Sequence, residues 1–177
     1  GIISADDPTS GGNVGWVLYR YQTQLRIGAV QQGQTDRSIL NTPNFFTQQD
    51  ENQWTHICVT SDGTTNYFFK NGVFVSNGTI ATGGPVGVRP LSLFTNGNDI
   101  RIGNTLGVGD RRFSGFMSDI SIFDYDISNS NANDDTNLVN IIYNQTLTPV
   151  SLSSPAIAFW PLGDDSNVSE SVTGSGY

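Results

Sequence analysis

Apolar and polar positions alternate in short runs broken by turn residues, a period of two that predicts strands rather than helices. The most legible stretch runs from Asn52 to Val75. Trp54 to Thr60 is aromatic and β-branched, a composition that suits a pleated, half-buried surface. Ser61-Asp62-Gly63-Thr64-Thr65 is a turn cluster, in which Asp bonds its own backbone and Gly supplies positive φ. Asn66 to Lys70 predicts a second strand, Asn71-Gly72 a two-residue hairpin turn, and Val73 to Val75 the returning strand. Together they predict a β-meander.

Before it, Asp6 to Gly15 reads as a loop, and Trp16 to Tyr21 and Gln24 to Gln31 as two antiparallel strands. Trp16, Leu18, Leu25, Ile27 and Ala29 supply one buried face between them, with Tyr19 and Tyr21 on the opposite parity. Ser38 to Leu40 is a short strand, and Thr42 to Glu51 a loop around Pro43 and Phe45-Phe46. After the meander, Gly78 to Pro90 reads as a long surface loop, and Leu91 to Phe94 and Asp99 to Gly103 as strands. Phe113 to Tyr125 alternates as one strand, with Phe116, Ser118, Ile120 and Ile122 on one face. Asp134 to Tyr143 is the one helix the pattern predicts, with Leu138, Ile141 and Ile142 at helical spacing. Pro155 to Leu162 is the last strand, and Ser166 to Tyr177 a Gly/Ser-rich tail or linker.

Two of these blocks carry a resemblance. The Trp-x-His strand, Asp-Gly turn, aromatic strand and Asn-Gly hairpin are similar to the central hairpins of the laminin-G-like branch of the concanavalin A-like lectin/glucanase superfamily. Ile100 to Ile127 resembles that family's closing Gly-x-Ile-Asp-Asp-Val-x-Ile-Tyr-x-x-x-Leu block, with Ser118 in place of the first Asp, Phe123 of Tyr, and Ile127 of Leu. The resemblance implies an all-β fold, an antiparallel two-sheet β-sandwich (a concanavalin A-like jelly roll) over residues 1–165, with one short helix near 134–143. It also implies that the face bearing Tyr19 and Tyr21 is the concave one, where sugars bind when they bind. The family's version of the Pro155–Leu162 strand usually opens a domain. Here it either closes the same sandwich beside the Phe113 strand, the favoured expectation, or begins a second repeat. Residue 1 falls after the family's usual first strands, so the chain is expected to lack them or to be excised from a longer one.

Composition narrows the function classes. The 177 residues fit one domain, and 20 Gly and 7 Pro suit a turn-rich β protein. Net charge is −8, nearly all from Asp, and Lys70 is the single lysine. Without a basic patch, nucleic acid and anionic membrane are poor partners. No run approaches transmembrane length. Cys58, the one cysteine, reads as a core residue, and so does His56, the one histidine, as a partly buried ring on the strand face shared with Trp54 and Cys58. One Cys and one His exclude the usual zinc sites.

Glycoside hydrolysis needs two positioned carboxylates. The two glutamates, Glu51 and Glu170, are 119 positions apart, and Asp124 and Asp126 sit in a strand-end turn. The chain therefore reads as no enzyme. Calcium is the cofactor that the resemblance implies, as one structural ion: the acidic positions near the Trp strand and in the closing block match Asp164 or Asp165 and Asp119. Asp-rich loops are otherwise solvated turns. Sequons stand at Asn77, Asn144 and Asn167. The expected function is a non-catalytic extracellular, cell-surface or virion-surface binding module, with glycan or a protein surface as partner. Loop residues such as Phe45, Phe46, Asn96 and Asn104 have the types that sugar sites use. An assembly domain of a larger appendage or virion protein is the alternative, and a glycoside hydrolase the minority one.

Overall fold

The computed structural model describes residues 1–7, 14–30, 38–62, 65–79, 100–103, 113–128, 137–144 and 146–162. The strands are β1 (Ile3–Asp7), β2 (Val14–Tyr21), β3 (Gln24–Val30), β4 (Ser38–Thr42), β5 (Ile57–Ser61), β6 (Thr65–Lys70), β7 (Val73–Thr79), β8 (Arg101–Ile102), β9 (Ile120–Ile122) and β10 (Ala158–Trp160). A 3-10 turn spans Gln48–Asp50, and one helix, α1, spans Leu138–Tyr143. The fold is an antiparallel β-sandwich. A five-stranded sheet in the order β4-β3-β2-β1-β8 lies opposite a three-stranded sheet β5-β6-β7, and β9 pairs with β10 in a third, two-stranded sheet.

Register sets the faces. Ile3 pairs with Leu18, Leu18 with Ile27, and Ile27 with Leu40, so these side chains share one face of the large sheet. That face packs on Ile57, Val59 and Phe68 of the small sheet, with Phe45 and Phe46 closing one end. The opposite face of the small sheet carries Tyr67 and Phe69, and it is covered by Ile127, Val139, Phe123 and Ile142. Consecutive phenylalanines thus serve two cores: Phe68 faces the large sheet and Phe69 faces α1.

The central meander forms as its sequence predicts. Asn71 and Gly72 have φ of 51° and 75°, the pair of left-handed residues a tight hairpin turn needs. The Asn71 side chain accepts from the His56 N–H at 2.9 Å, and the Asn71 N–H donates to the His56 carbonyl at 3.0 Å. β7 runs on to Thr79, beyond the expected Val75, with a register irregularity opposite Phe68/Phe69.

Several expectations are corrected. Ile3–Asp7, Val14 and Gly15 are strand rather than opening and loop, because β1 finds antiparallel partners in both β2 and β8. The parity expected for β2 and β3 holds for Leu25 and Ile27, yet Val17 and Ser4 on the other face are also buried. Tyr21 does point away, 48% exposed, under the Arg26 guanidinium at 4.0 Å. Phe113–Tyr125 is not one strand: only Ile120–Ile122 pairs, since Gly115 (φ 147°) and Asp119 (φ 53°) leave the extended region. The strand after the meander's entry starts at Ile57, so Trp54 is 71% exposed instead of sharing a face with Cys58. The helix starts at Leu138 rather than Asp134, where the Asn137 side chain accepts from the Asn140 N–H at 2.9 Å, and its buried residue is Val139. β10 pairs antiparallel with β9, Trp160 opposite Ile120. The expected Leu91–Phe94 strand and the 166–177 tail lie outside the described residues. Among the described residues no helix is long and apolar enough to cross a membrane.

Candidate functional site

A cleft of about 920 Å³ opens between the large sheet and the edges of β5 and β9. Trp16, Leu18 and Ile27 of the large sheet line it on one side; Trp54 and Phe116 line it from loops on the other. Both loop aromatics are turned to solvent, Trp54 at 71% and Phe116 at 87% exposure.

A chain of polar contacts places Trp54. Lys70 donates to the Asp50 carboxylate at 2.6 Å and to the Phe45 carbonyl at 3.0 Å. The Thr47 N–H donates to the same carboxylate oxygen at 2.6 Å, which closes the 3-10 turn. Lys70 holds the Asp50 carboxyl below its ordinary range, mainly through that hydrogen bond. The turn therefore hangs on a strand of the small sheet, and Gln53 and Trp54 follow it into the cleft wall. Phe116 is set by the turn at Gly115, where an added Cβ would meet the Phe113 ring at 2.9 Å. Arg20 also lines the cleft, with its Nε donating to the Gln22 carbonyl at 2.8 Å and its guanidinium over the Phe46 ring at 4.9 Å.

His56 lies at the base of this wall. Its ring sits 5.6 Å from that of Tyr143, its Nδ1 is buried with no hydrogen-bond partner among the described residues, and burial lowers its pKa from the usual histidine value. A histidine depressed in the folded state binds its proton more readily once unfolded. Stability from the neutral ring is complete above about pH 6.5 and falls as pH drops through that value, by at most about 1.4 kcal/mol per pH unit for one proton. Denaturant titrations from pH 7.5 to 5 are expected to show this loss in the native chain and a flatter profile in His56→Gln. Cys58 is chemically quiet: burial, with the Asp126 carboxylate adding to it, pushes its thiol up to about 12.

The other candidates are dispersed. Phe45 and Phe46 are 1% and 9% exposed and belong to the core, so they offer no sugar platform. Asp119 is exposed; its N–H donates to the Pro161 carbonyl at 3.0 Å, and the Ser118 hydroxyl lies 3.1 Å from its Oδ2 and 3.0 Å from that carbonyl. One carboxylate, a hydroxyl and a carbonyl are oxygen donors of the kind calcium takes, but fewer than its usual six to eight. Asp164 and Asp165 lie outside the described residues, as do Asn96, Asn104, Glu170 and Asn167. Among the described residues no three His, Cys, Asp or Glu side chains group to hold a metal ion. Asp126 accepts from the Ser128 N–H and hydroxyl at 2.9 and 2.6 Å, so it closes a turn. Asn77 and Asn144 are exposed, on β7 and at the end of α1.

A family model described as the concanavalin A-like lectin/glucanases superfamily matches residues 1–132. The chain belongs to that superfamily. Its laminin-G-like branch is the one whose motifs run through the central meander. Curated proteins give no match. The chain is similar to the crystal structure of an S-layer domain-containing protein (residues 221–444) from Clostridium thermocellum, at 19% identity and a TM-score of 0.38. The match covers 76% of this chain and 58% of that one. A concanavalin A-like fold hosts lectins and glucanases alike, so function has to come from the residues of the site.

Sequence reasoning missed Trp54 and Phe116 as a pair because it put both inside strands. The signals were there: Asn52 before Trp54 is a turn residue that tolerates positive φ, and Ser114-Gly115 before Phe116 is a turn-forming dipeptide.

Proposed function

We propose that this concanavalin A-like module is a non-catalytic binding domain acting outside the cell, and that it takes glycan at the aromatic mouth of the cleft. The observation behind the proposal is that Trp54 and Phe116, two of the most exposed large apolar side chains, border one cavity. Aromatic faces beside a few polar groups are what small polar ligands dock against. Gln53, Glu51, Arg20 and Asp119 line the same cleft and offer both donors and acceptors. The non-catalytic reading rests on Glu51 standing in a loop while Glu170 is far along the chain, with Asp126 engaged in its own turn.

Trp54→Ala is expected to weaken retention on an immobilised glycan by roughly thirtyfold, the effect of losing an anchor worth about 2 kcal/mol. Phe116→Ala should act in the same direction, and both variants should unfold within about 2 °C of the native chain because neither side chain is buried. Unchanged retention in both variants would remove the aromatic mouth from the account. Calcium bridging Asp119 and Asp164 is part of the proposal, and the same assay with chelator reads it. A loss of binding or of thermal stability that Asp119→Asn reproduces supports the ion, and indifference to chelator removes it.

A further inference from the structure

The cleft is lined by an unbroken run from Gln53 to Asp62 and a second from Phe116 to Ile127. A sheet face gives a cavity every second residue, so an unbroken run means that a strand edge borders it. β5 pairs with β6 on one side, and among the described residues no strand pairs with its other side.

Antiparallel alternation tells which groups that open edge presents. The His56 carbonyl accepts from the Asn71 N–H, and the Asp62 N–H donates to the Thr65 carbonyl at 3.2 Å, so this parity turns toward β6 and its hairpin. Ile57 and Val59, of the other parity, turn their N–H and C=O groups toward the cleft. An open edge of this kind is a template for another strand, and buried backbone groups are costly to leave unpaired.

Two further features describe the occupant. Trp16, Leu18 and Ile27 on one side and Phe123 and Ile142 on the other make the middle of the cleft apolar. Glu51, Asp119 and Asp124 also line it, against Arg20 as the one Lys or Arg among the described lining residues, in a chain of net charge −8.

We infer that the outer edge of β5 takes up an extended segment of another polypeptide as an added strand, apolar in its middle and carrying Lys or Arg at its ends. Main-chain hydrogen bonds to Ile57 and Val59 supply the pairing, and the carboxylates select the basic ends. The five residues of β5 span about 17 Å, which sets the length of the paired core at about five residues. This partner is separate from the glycan proposed for the mouth, and does not depend on it.

The probe is a synthetic peptide of alternating Val and Thr with two Lys at each end, titrated into the 177-residue chain while amide hydrogen exchange is followed. The Ile57 and Val59 amides are expected to exchange freely alone and to slow at least about tenfold with peptide. A Glu-ended peptide should bind at least about tenfold more weakly. N-methylation of alternate peptide residues should abolish binding in one parity and leave it within about threefold in the other, since only one set of N–H groups faces β5. Trp54→Ala should leave peptide affinity within about threefold, so that failure of the glycan proposal and failure of this one are told apart. Protection of Ile57 and Val59 in the free protein, meaning that the chain covers its own edge, would overturn the inference. So would equal binding of both N-methylated peptides, or no binding of the Lys-ended peptide.

Discussion

Phe68→Ala and Phe69→Ala are each expected to cost about 3–5 kcal/mol, among the largest effects that any single truncation in this chain can have. Both rings are 0% exposed. They are neighbours in sequence, yet they belong to different cores: Phe68 with Leu25, Ile27, Phe45 and Phe46, and Phe69 with Tyr67, Ile127 and Val139. Each truncation loses the transfer energy of a benzyl group and leaves a hole that the flanking strands only partly close. Because the two rings share no partner within those clusters, their effects should add. The milder pair Phe68→Leu and Phe69→Leu keeps the chain folded well enough to measure a cycle, and the double variant is expected to equal the sum within about 0.5 kcal/mol in urea melts. A coupling above about 1 kcal/mol would mean one shared core in place of two.

Gly72→Ala should cost about 3 kcal/mol and lower Tm by about 6–12 °C. Two causes combine. The residue has a φ of 75°, where a Cβ is strained, and an added Cβ would lie 2.8 Å from Tyr143 Cδ1 and 3.0 Å from Tyr143 Cβ and Cγ. The Tyr143 Cβ is fixed to the helix backbone, so the ring cannot simply rotate aside. The same turn is tied to His56 through both Asn71 hydrogen bonds, so moving it disturbs the entry to β5. In a Tyr143→Gly background, which removes the Cβ as well as the ring, the steric part disappears, and Gly72→Ala should then cost only the backbone strain, about 1–2 kcal/mol. Equal costs in both backgrounds would show that the α1 contact contributes nothing.

What was legible in the sequence follows from range. The Asn71-Gly72 turn, the alternation of β2 and β3 and the strands flanking the hairpin are written in neighbouring residues, and they form where the pattern places them. So does the family, because its motifs sit in that local meander. β1 escaped because its five residues, Ile-Ser-Ala-Asp-Asp, alternate weakly, and it is stabilised by β2 and by the distant β8. Phe113–Tyr125 misled in the other direction: its alternation is good, but Gly115 and Asp119 adopt left-handed or related conformations that the pattern does not record. Phe45-Phe46 looked like loop aromatics by their flanks, and only packing against Leu25, Ile27 and Phe68 shows them as core.

The site was less legible for the same reason. The cleft is bordered by residues near 55 and near 120, and no local pattern signals that two strands so far apart leave a gap between them. Exposure of Trp54 and Phe116 likewise depends on where the adjoining strands begin, which is the least readable feature of a strand. The absence of a paired-glutamate motif, by contrast, could be read at once, because it is a property of composition.

A glycan array probed with the 177-residue chain, with calcium and again with chelator, tests the central claim most directly. The account predicts binding to a discrete set of oligosaccharides by the native chain, and its loss across that set in Trp54→Ala. Silence on the array under both conditions, or full binding by Trp54→Ala, would contradict it; silence would leave this superfamily member as an assembly domain whose partners are proteins.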